Sequence, residues 1–217
     1  MLRFRLFRIP IRIHYLFIIM CGLLAWNQFS GGREGLIYAA GWVILPIFTV
    51  IWHELGHAFS RKKHGAPSSE IALGDIKEGP FMGFCTGPGN FTKTQSLKIS
   101  IAGPMYNLVA ALLILPVHFT PLIDLPYVEG FWRILFLSNL IWGILNLIPI
   151  LPMDGGRILT LLMSGRSPLL LHLTGLFISI MMVVLAAITH RYFAVLLFAT
   201  VVYENWLLIL KRNEERA

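Results

Sequence analysis

Long apolar stretches alternate with short polar clusters along almost the whole chain. A helix needs about 20 residues to cross a hydrocarbon core of about 30 Å, and several stretches reach or approach that length. They cover residues 13–27, 36–59, 97–119, 131–150, 169–189 and 192–210. The pattern therefore predicts an all-α polytopic membrane protein with six transmembrane helices.

Two segments outside these stretches predict a small amount of β structure. Residues 4–13 alternate arginine with apolar residues, and residues 70–74 read as a short strand, EIALG, in the largest connection. That connection is too short to hold a folded domain of its own. We therefore expect a single integral membrane domain over residues 1–217, with a small β element at the cytosolic membrane surface.

Composition and charge support a membrane protein and give it an orientation. Of 217 residues, 56% are hydrophobic and 13% are charged, whereas a soluble domain carries about 25% charged residues. Of the 18 lysines and arginines, 15 fall on one side of the predicted topology. The positive-inside rule makes that side, and both termini, cytosolic. The net charge of +7 is explained in this way, and no basic stripe interleaved with aromatics favours nucleic-acid binding.

The second apolar stretch ends with the sequence His53-Glu54-Leu-Gly-His57. Residues four apart share one face of a helix, so both imidazoles can bind one metal ion while Glu54 acts as a base on water. Ionisable groups inside a membrane helix are costly and are usually functional. The alternative is a polar cluster that hydrogen-bonds neighbouring helices.

A third metal ligand is expected near the end of the fourth stretch, which reads NLIPILPMDGGR from position 146. Its prolines interrupt helical hydrogen bonding, and irregular backbone at membrane depth is tolerated only inside protein or along a water-filled cavity. Asp154 in this segment is the candidate ligand. The alternative is that Asp154 caps a following helix over residues 155–163.

Both motifs are expected at the same depth. His57 stands four residues before Arg61, and Asp154 stands three residues before Arg157. At 1.5 Å per residue, His57 lies about 6 Å from the basic cluster. The second and fourth stretches both run toward the cytosol in the predicted topology, so the site is expected near the cytosolic side of the membrane.

Three motifs in this order resemble the site-2 protease family of intramembrane zinc metalloproteases. They are HELGH at 53–57, AGPMYN at 102–107 and NLIPILPMDGG at 146–156, and the similar core covers about residues 36–163. The small size is similar to minimal prokaryotic members, so neither a PDZ nor a CBS domain is expected.

The resemblance implies cleavage of a peptide bond in or near the transmembrane segment of another membrane protein, within the lipid bilayer. It also implies the role of each site residue: one zinc ion per chain held by His53, His57 and Asp154, Glu54 as the catalytic base, and Asn107 and Asn146 binding substrate or stabilising the transition state. An exposed strand such as residues 70–74 would hold the unwound substrate by β-addition. The sequence identifies neither the substrate nor the oligomeric state.

Two other functions fit parts of the sequence. A metal-ion transporter would use the His/Asp cluster as a transit site, but it would repeat acidic or histidine residues along several spans, whereas here they gather at one level. A non-catalytic homologue that binds membrane proteins is disfavoured because all the expected metal-site residues are present.

Three further polar residues each keep more than one possible role. Asn139 lines the same cavity or forms a hydrogen bond between helices. Glu204 extends toward the cytosol or pairs with another helix. His14 serves in interfacial packing, in a gate or in occasional metal contact.

Overall fold

The computed structural model describes residues 1–74, 82–163, 168–189 and 192–214. The described residues form seven α-helices and one four-stranded sheet. The helices are α1 (Tyr15–Leu24), α2 (Gly32–Lys63), α3 (Lys93–Ile114), α4 (Val128–Asn146), α5 (Asp154–Leu162), α6 (Pro168–Ile188) and α7 (Tyr192–Glu214). The strands are β1 (Leu2–Leu6), β2 (Ile9–Ile13), β3 (Glu70–Leu73) and β4 (Gly83–Thr86).

Among the described residues, three helices are long and apolar enough to cross a membrane: α2, α3 with the 3-10 turn that follows it to Phe119, and α4. Shorter apolar helical segments cover Tyr15–Leu24, His172–Ile188 and Ala194–Leu207. The expectation of a mostly helical membrane protein with a small β element is confirmed. The number of six spans stays a prediction.

The first predicted span differs most from the structure. Its first residue, Ile13, lies in β2, and the helix extends only from Tyr15 to Leu24. His14 explains the boundary, because its Nδ1 accepts a hydrogen bond from the Leu16 backbone N–H at 3.3 Å and so caps α1. His14 also donates its backbone N–H to the carbonyl of Leu73 at 2.9 Å, which ties the start of α1 to β3.

The end of the fourth span also differs. Helix α4 ends at Asn146 rather than at residue 150. Pro149 explains the early end, since proline has no backbone N–H and disfavours helical geometry in the residue before it.

The sheet has the strand order β1-β2-β3-β4. Strands β1 and β2 are antiparallel, β2 and β3 are parallel, and β3 and β4 are antiparallel. Strand β3 is therefore in the interior of the sheet, and Ile71, Ala72 and Leu73 are buried. The expectation that residues 70–74 form an exposed strand able to accept a substrate strand is wrong, because β3 already pairs on both sides. Among the described residues, β4 is the edge strand on that side.

The first compact unit, Met1–Ile144, has its core between the sheet and α2. Ile11, Leu55, Ile71 and Leu73 are each at most 1% exposed there. The sheet thus rests on the same helix that carries the His-Glu-x-x-His motif.

The second compact unit covers Leu145–Ala217, and α6 packs against α7 within it. Ile150 and Val201 are fully buried in this unit. The expectation of one domain over residues 1–217 stays a prediction.

Candidate metal centre

The two histidines of the motif share one face of α2, as their spacing predicts. Both are buried, and their rings meet edge to face with the two Nε2 atoms 3.2 Å apart. Two ring nitrogens at that distance either share one proton or both present lone pairs to the same cation.

Hydrogen bonds at the opposite side of each ring show which nitrogen carries the proton when the ring is neutral. His57 Nδ1 lies 2.7 Å from the carbonyl oxygen of Ile99, which can only accept, so Nδ1 is the donor. His53 Nδ1 lies 2.7 Å from Oδ1 of Asn107 and donates to it. In both neutral rings Nε2 is therefore the unprotonated nitrogen, which is the form that binds a metal.

Asn107 is oriented by its own partners. Its Nδ2 donates to the Thr49 carbonyl at 3.1 Å and to Oδ1 of Asn139 at 2.9 Å. Both amide protons are thus used, and the oxygen must face His53. Asn139 in turn donates to Thr49 Oγ1 at 3.3 Å and to the Leu135 carbonyl at 2.9 Å. Asn139 therefore links helices, which was one of its two expected roles.

Gly103 on α3 leaves the space into which the two histidines point. A Cβ atom at this position would lie against His57 Nε2 and 2.7 Å from His53 Nε2. The donor set around this space consists of two neutral imidazoles with converging lone pairs, so it fits a borderline metal such as zinc.

Glu54 lies between the histidines in sequence and is 4% exposed. Strand β4 begins beside it, because a Cβ atom at Gly83 would lie 2.6 Å from Oε1 of Glu54. The carboxylate is therefore next to the first residue of β4.

Asp154, in the second unit, is the first residue of α5 and is buried. Met153 occupies the N-cap position and makes no side-chain capping bond. Arg157, one turn later, has Nη1 at 4.0 Å from Oδ1 of Asp154. Gly155 and Gly156 let the first turn of α5 pack against the backbone of residues 147–151, which any Cβ atom would hit. Asn146 is the last residue of α4 and is half-buried.

Sequence reasoning missed two residues that the structure adds. Thr49 binds both asparagines, yet it stands one turn before His53 in an apolar run and has no motif around it. Gly83 lies close to Glu54 although it is 29 positions later in the sequence. No local sequence pattern predicts a contact between residues so far apart.

The sequence and the fold of the chain are similar to those of known proteins. Residues 120–188 match the sequence profile of peptidase family M50. The solved site-2 protease from Methanocaldococcus jannaschii has the same fold, with a TM-score of 0.70, 27% identity and coverage of 95% of this chain and 94% of that one. Residues 120–188 therefore resemble a peptidase family M50 domain. The resemblance to site-2 proteases is thereby confirmed.

Curated relatives of the chain are named as zinc metalloproteases. A zinc metalloprotease of Methanocaldococcus jannaschii is 32% identical over 165 residues, which is 75% of this chain and 45% of that protein. The putative zinc metalloprotease Rip3 of Mycobacterium tuberculosis is 26% identical over 68% of this chain and 39% of that protein. A putative zinc metalloprotease of Synechocystis is 30% identical over 71% of this chain and 41% of its own length. The matched region spans less than half of each of these relatives.

Proposed function

We propose that this protein is an intramembrane zinc metalloprotease that hydrolyses a peptide bond in or near a transmembrane segment of a membrane-protein substrate. The observation that carries the proposal is the pair of histidines on α2, whose Nε2 lone pairs converge while both Nδ1 atoms donate to fixed acceptors. Relatives named zinc metalloproteases support the same conclusion.

The proposed zinc ligands are His53, His57 and Asp154, with one zinc ion per chain. Bound zinc would polarise the scissile carbonyl and lower the pKa of water toward 7. Buried carboxylates are usually neutralised by a partner, and Asp154 is 4% exposed. Its carboxylate oxygens are of the kind that zinc accepts together with imidazole nitrogens.

Glu54 is the proposed catalytic base. It accepts the proton of the attacking water and passes it to the leaving nitrogen. Its burial keeps the carboxylate in a medium of low dielectric constant, where its charge interacts strongly with neighbouring groups.

The proposal assigns different roles to Asn107 and Asn146. Asn107 uses both amide protons on Thr49 and Asn139, so it supports His53 through Oδ1 instead of reaching substrate. Asn146 is the residue proposed to bind substrate or stabilise the developing oxyanion.

Strand β4 is the proposed docking edge for substrate. It stands at the end of the strand order, and Gly83 at its start adjoins Glu54. A substrate segment that adds to this edge in an extended conformation exposes its carbonyl groups, which a helix would keep in hydrogen bonds. Edge addition therefore brings an accessible peptide bond next to the base.

The chain is a membrane protein, and we propose that both termini and the active site lie on the cytosolic side. The support is the distribution of charge, since 15 of 18 basic residues fall on one side of the predicted topology. The metal-transporter hypothesis receives no support from the names of the relatives or from the matched fold.

Replacing Glu54 by Gln tests the proposal. The variant keeps the size of the side chain and leaves the histidines in place, so we expect about one zinc per chain and a cleavage rate at least about 100-fold lower. The readout compares membrane proteomes of cells with either form, seeking a substrate that accumulates uncut, followed by cleavage of that substrate in detergent.

Glu70→Gln is the matched control. It makes the same chemical change at a partly exposed carboxylate on β3 that pairs with Arg12, and it should cleave at the wild-type rate. Wild-type cleavage by Glu54→Gln would refute the assigned base.

A further inference from the structure

Asn205 on α7 is a buried polar residue that none of the motifs includes. It has no exposed surface, and its Nδ2 donates two hydrogen bonds. One joins the carbonyl of Val201 in the same helix at 2.9 Å, and the other joins the carbonyl of Leu151 at 2.6 Å. The second bond ties the last helix to the turn between α4 and α5.

That turn leads directly into Asp154, the first residue of α5. Within it, Ile150 N–H donates to the Ile148 carbonyl at 2.8 Å and Met153 N–H donates to the Ile150 carbonyl at 2.9 Å. The Leu151 carbonyl receives its hydrogen bond from Asn205 instead. Leu151 is three residues before Asp154. The bond therefore restrains the backbone segment that determines the position of the Asp154 carboxylate.

The surroundings of Asn205 are shaped around its amide. Gly175 on α6 faces it, and a Cβ atom there would lie 2.7 Å from Oδ1 of Asn205. Among the described residues no donor lies within hydrogen-bond distance of that oxygen. A buried acceptor without a partner destabilises the fold, whereas leucine of similar size would avoid this cost. The two donated bonds therefore account for the amide at this position.

We propose that Asn205 is a positioning residue for the metal site, which holds the turn before α5 so that the Asp154 carboxylate is presented to zinc in one orientation. This inference rests on the proposed function, in which Asp154 is a zinc ligand. Groups that orient metal ligands typically change metal affinity by about 10–100-fold when they are removed.

Asn205→Leu in the full-length protein, purified in detergent, tests the proposal. Two measurements are made: the rate of zinc release to a chromogenic chelator, and the visible absorption spectrum of the Co²⁺-substituted form. We expect zinc release to be about tenfold faster than in the wild type. We also expect the Co²⁺ bands to shift, because the carboxylate ligand changes its geometry. Faster zinc release with unchanged Co²⁺ bands would overturn the positioning role.

Ser179→Ala is the matched control. Ser179 on α6 is equally buried, and within the described part of the chain its hydroxyl bonds only inside its own helix, to the Leu176 carbonyl at 2.9 Å. It should leave zinc release and the Co²⁺ spectrum unchanged even where it lowers the unfolding temperature. An effect of Ser179→Ala equal to that of Asn205→Leu would overturn the proposal, because general loosening of the unit would then explain both.

Gly175→Ala covers the case in which Asn205→Leu does not fold. It displaces the amide of Asn205 without removing it, so zinc release should be about threefold faster and the Co²⁺ bands should shift in the same direction. Wild-type zinc release and wild-type Co²⁺ bands in whichever of the two variants folds would overturn the proposal. Absence of zinc from the wild-type protein would instead refute the proposed function.

Discussion

Gly103 is the residue on which the geometry around the two histidines depends most directly. It lies in the interior of α3, where alanine has the better helix propensity by about 1 kcal/mol. The absence of a side chain therefore has to be explained by what lies opposite, and this is the pair of Nε2 atoms of His53 and His57.

Gly103→Ala is expected to abolish zinc binding while it leaves the fold intact. The added methyl group would occupy the space between the two Nε2 atoms, so zinc content should fall from about one to below about 0.1 per chain. Elemental analysis of purified protein measures this. Gly22→Ala is the control, because its Cβ would meet no atom within 4 Å. A Gly103→Ala protein with a full zinc content would contradict the assigned metal position.

At this scale the sequence predicts ligands but not the residues that orient them. His53 and His57 are detectable because helical spacing alone puts them on one face. The bond from His53 to Asn107 joins residues 54 positions apart, and the bond from Asn205 to Leu151 also spans 54 positions. Such contacts depend on how helices pack, and no local pattern in a single sequence encodes that.

At the scale of single elements, the start of helix α3 is defined by hydrogen bonds at its N-terminus. Thr92 accepts a hydrogen bond from the Gln95 N–H at 3.3 Å, and the Gln95 side chain accepts one from the Thr92 N–H at 2.8 Å. This reciprocal capping box defines the start of the helix that carries Gly103 and Asn107.

Thr92→Ala should destabilise the protein by about 1 kcal/mol, because the N–H of Gln95 loses its partner. The expected result is an unfolding midpoint lower by about 2–4 °C in detergent, with zinc content unchanged. Thr92→Ser keeps the hydroxyl and should unfold within about one degree of the wild type. Equal unfolding temperatures for the alanine variant and the wild type would show that the capping box does not stabilise α3.

Elements with strong local patterns were predictable, and those decided by pairing were not. The centre of α2 follows from its long apolar run. The short length of α1 could not be predicted from such a run. Ile13 has the apolar character of a residue in a transmembrane helix, but it pairs with Leu2 and Leu73 in the sheet. The interior position of β3 was missed for the same reason: a strand of four residues carries no information about which strands lie on either side.

At the scale of the whole molecule, the predicted topology specifies which connections between helices face the cytosol, and this can be tested. Glu34 and Thr94 are both exposed. Each is replaced by cysteine in a protein whose Cys21 and Cys85 are changed to Ala. Labelling by a membrane-impermeant maleimide then shows on which side of the membrane the new cysteine lies. The charge distribution predicts labelling of Glu34→Cys in intact cells and of Thr94→Cys only after the membrane is opened. The reverse pattern would invert the proposed orientation.

The parallel pairing of β2 with β3 constrains how the chain is inserted during synthesis. Strand β2 ends at Ile13 and β3 begins at Glu70, and hydrogen-bonded neighbours cannot lie on opposite sides of a bilayer. The segment between them must therefore cross the bilayer an even number of times, whatever the distribution of basic residues. The β1–β2 hairpin is synthesised before β3. It cannot pair with β3 until α2, about 48 Å long at 1.5 Å per residue, has brought the chain back to the same side of the bilayer. All four strands lie before residue 87, so the sheet can close without the segment that carries Asp154.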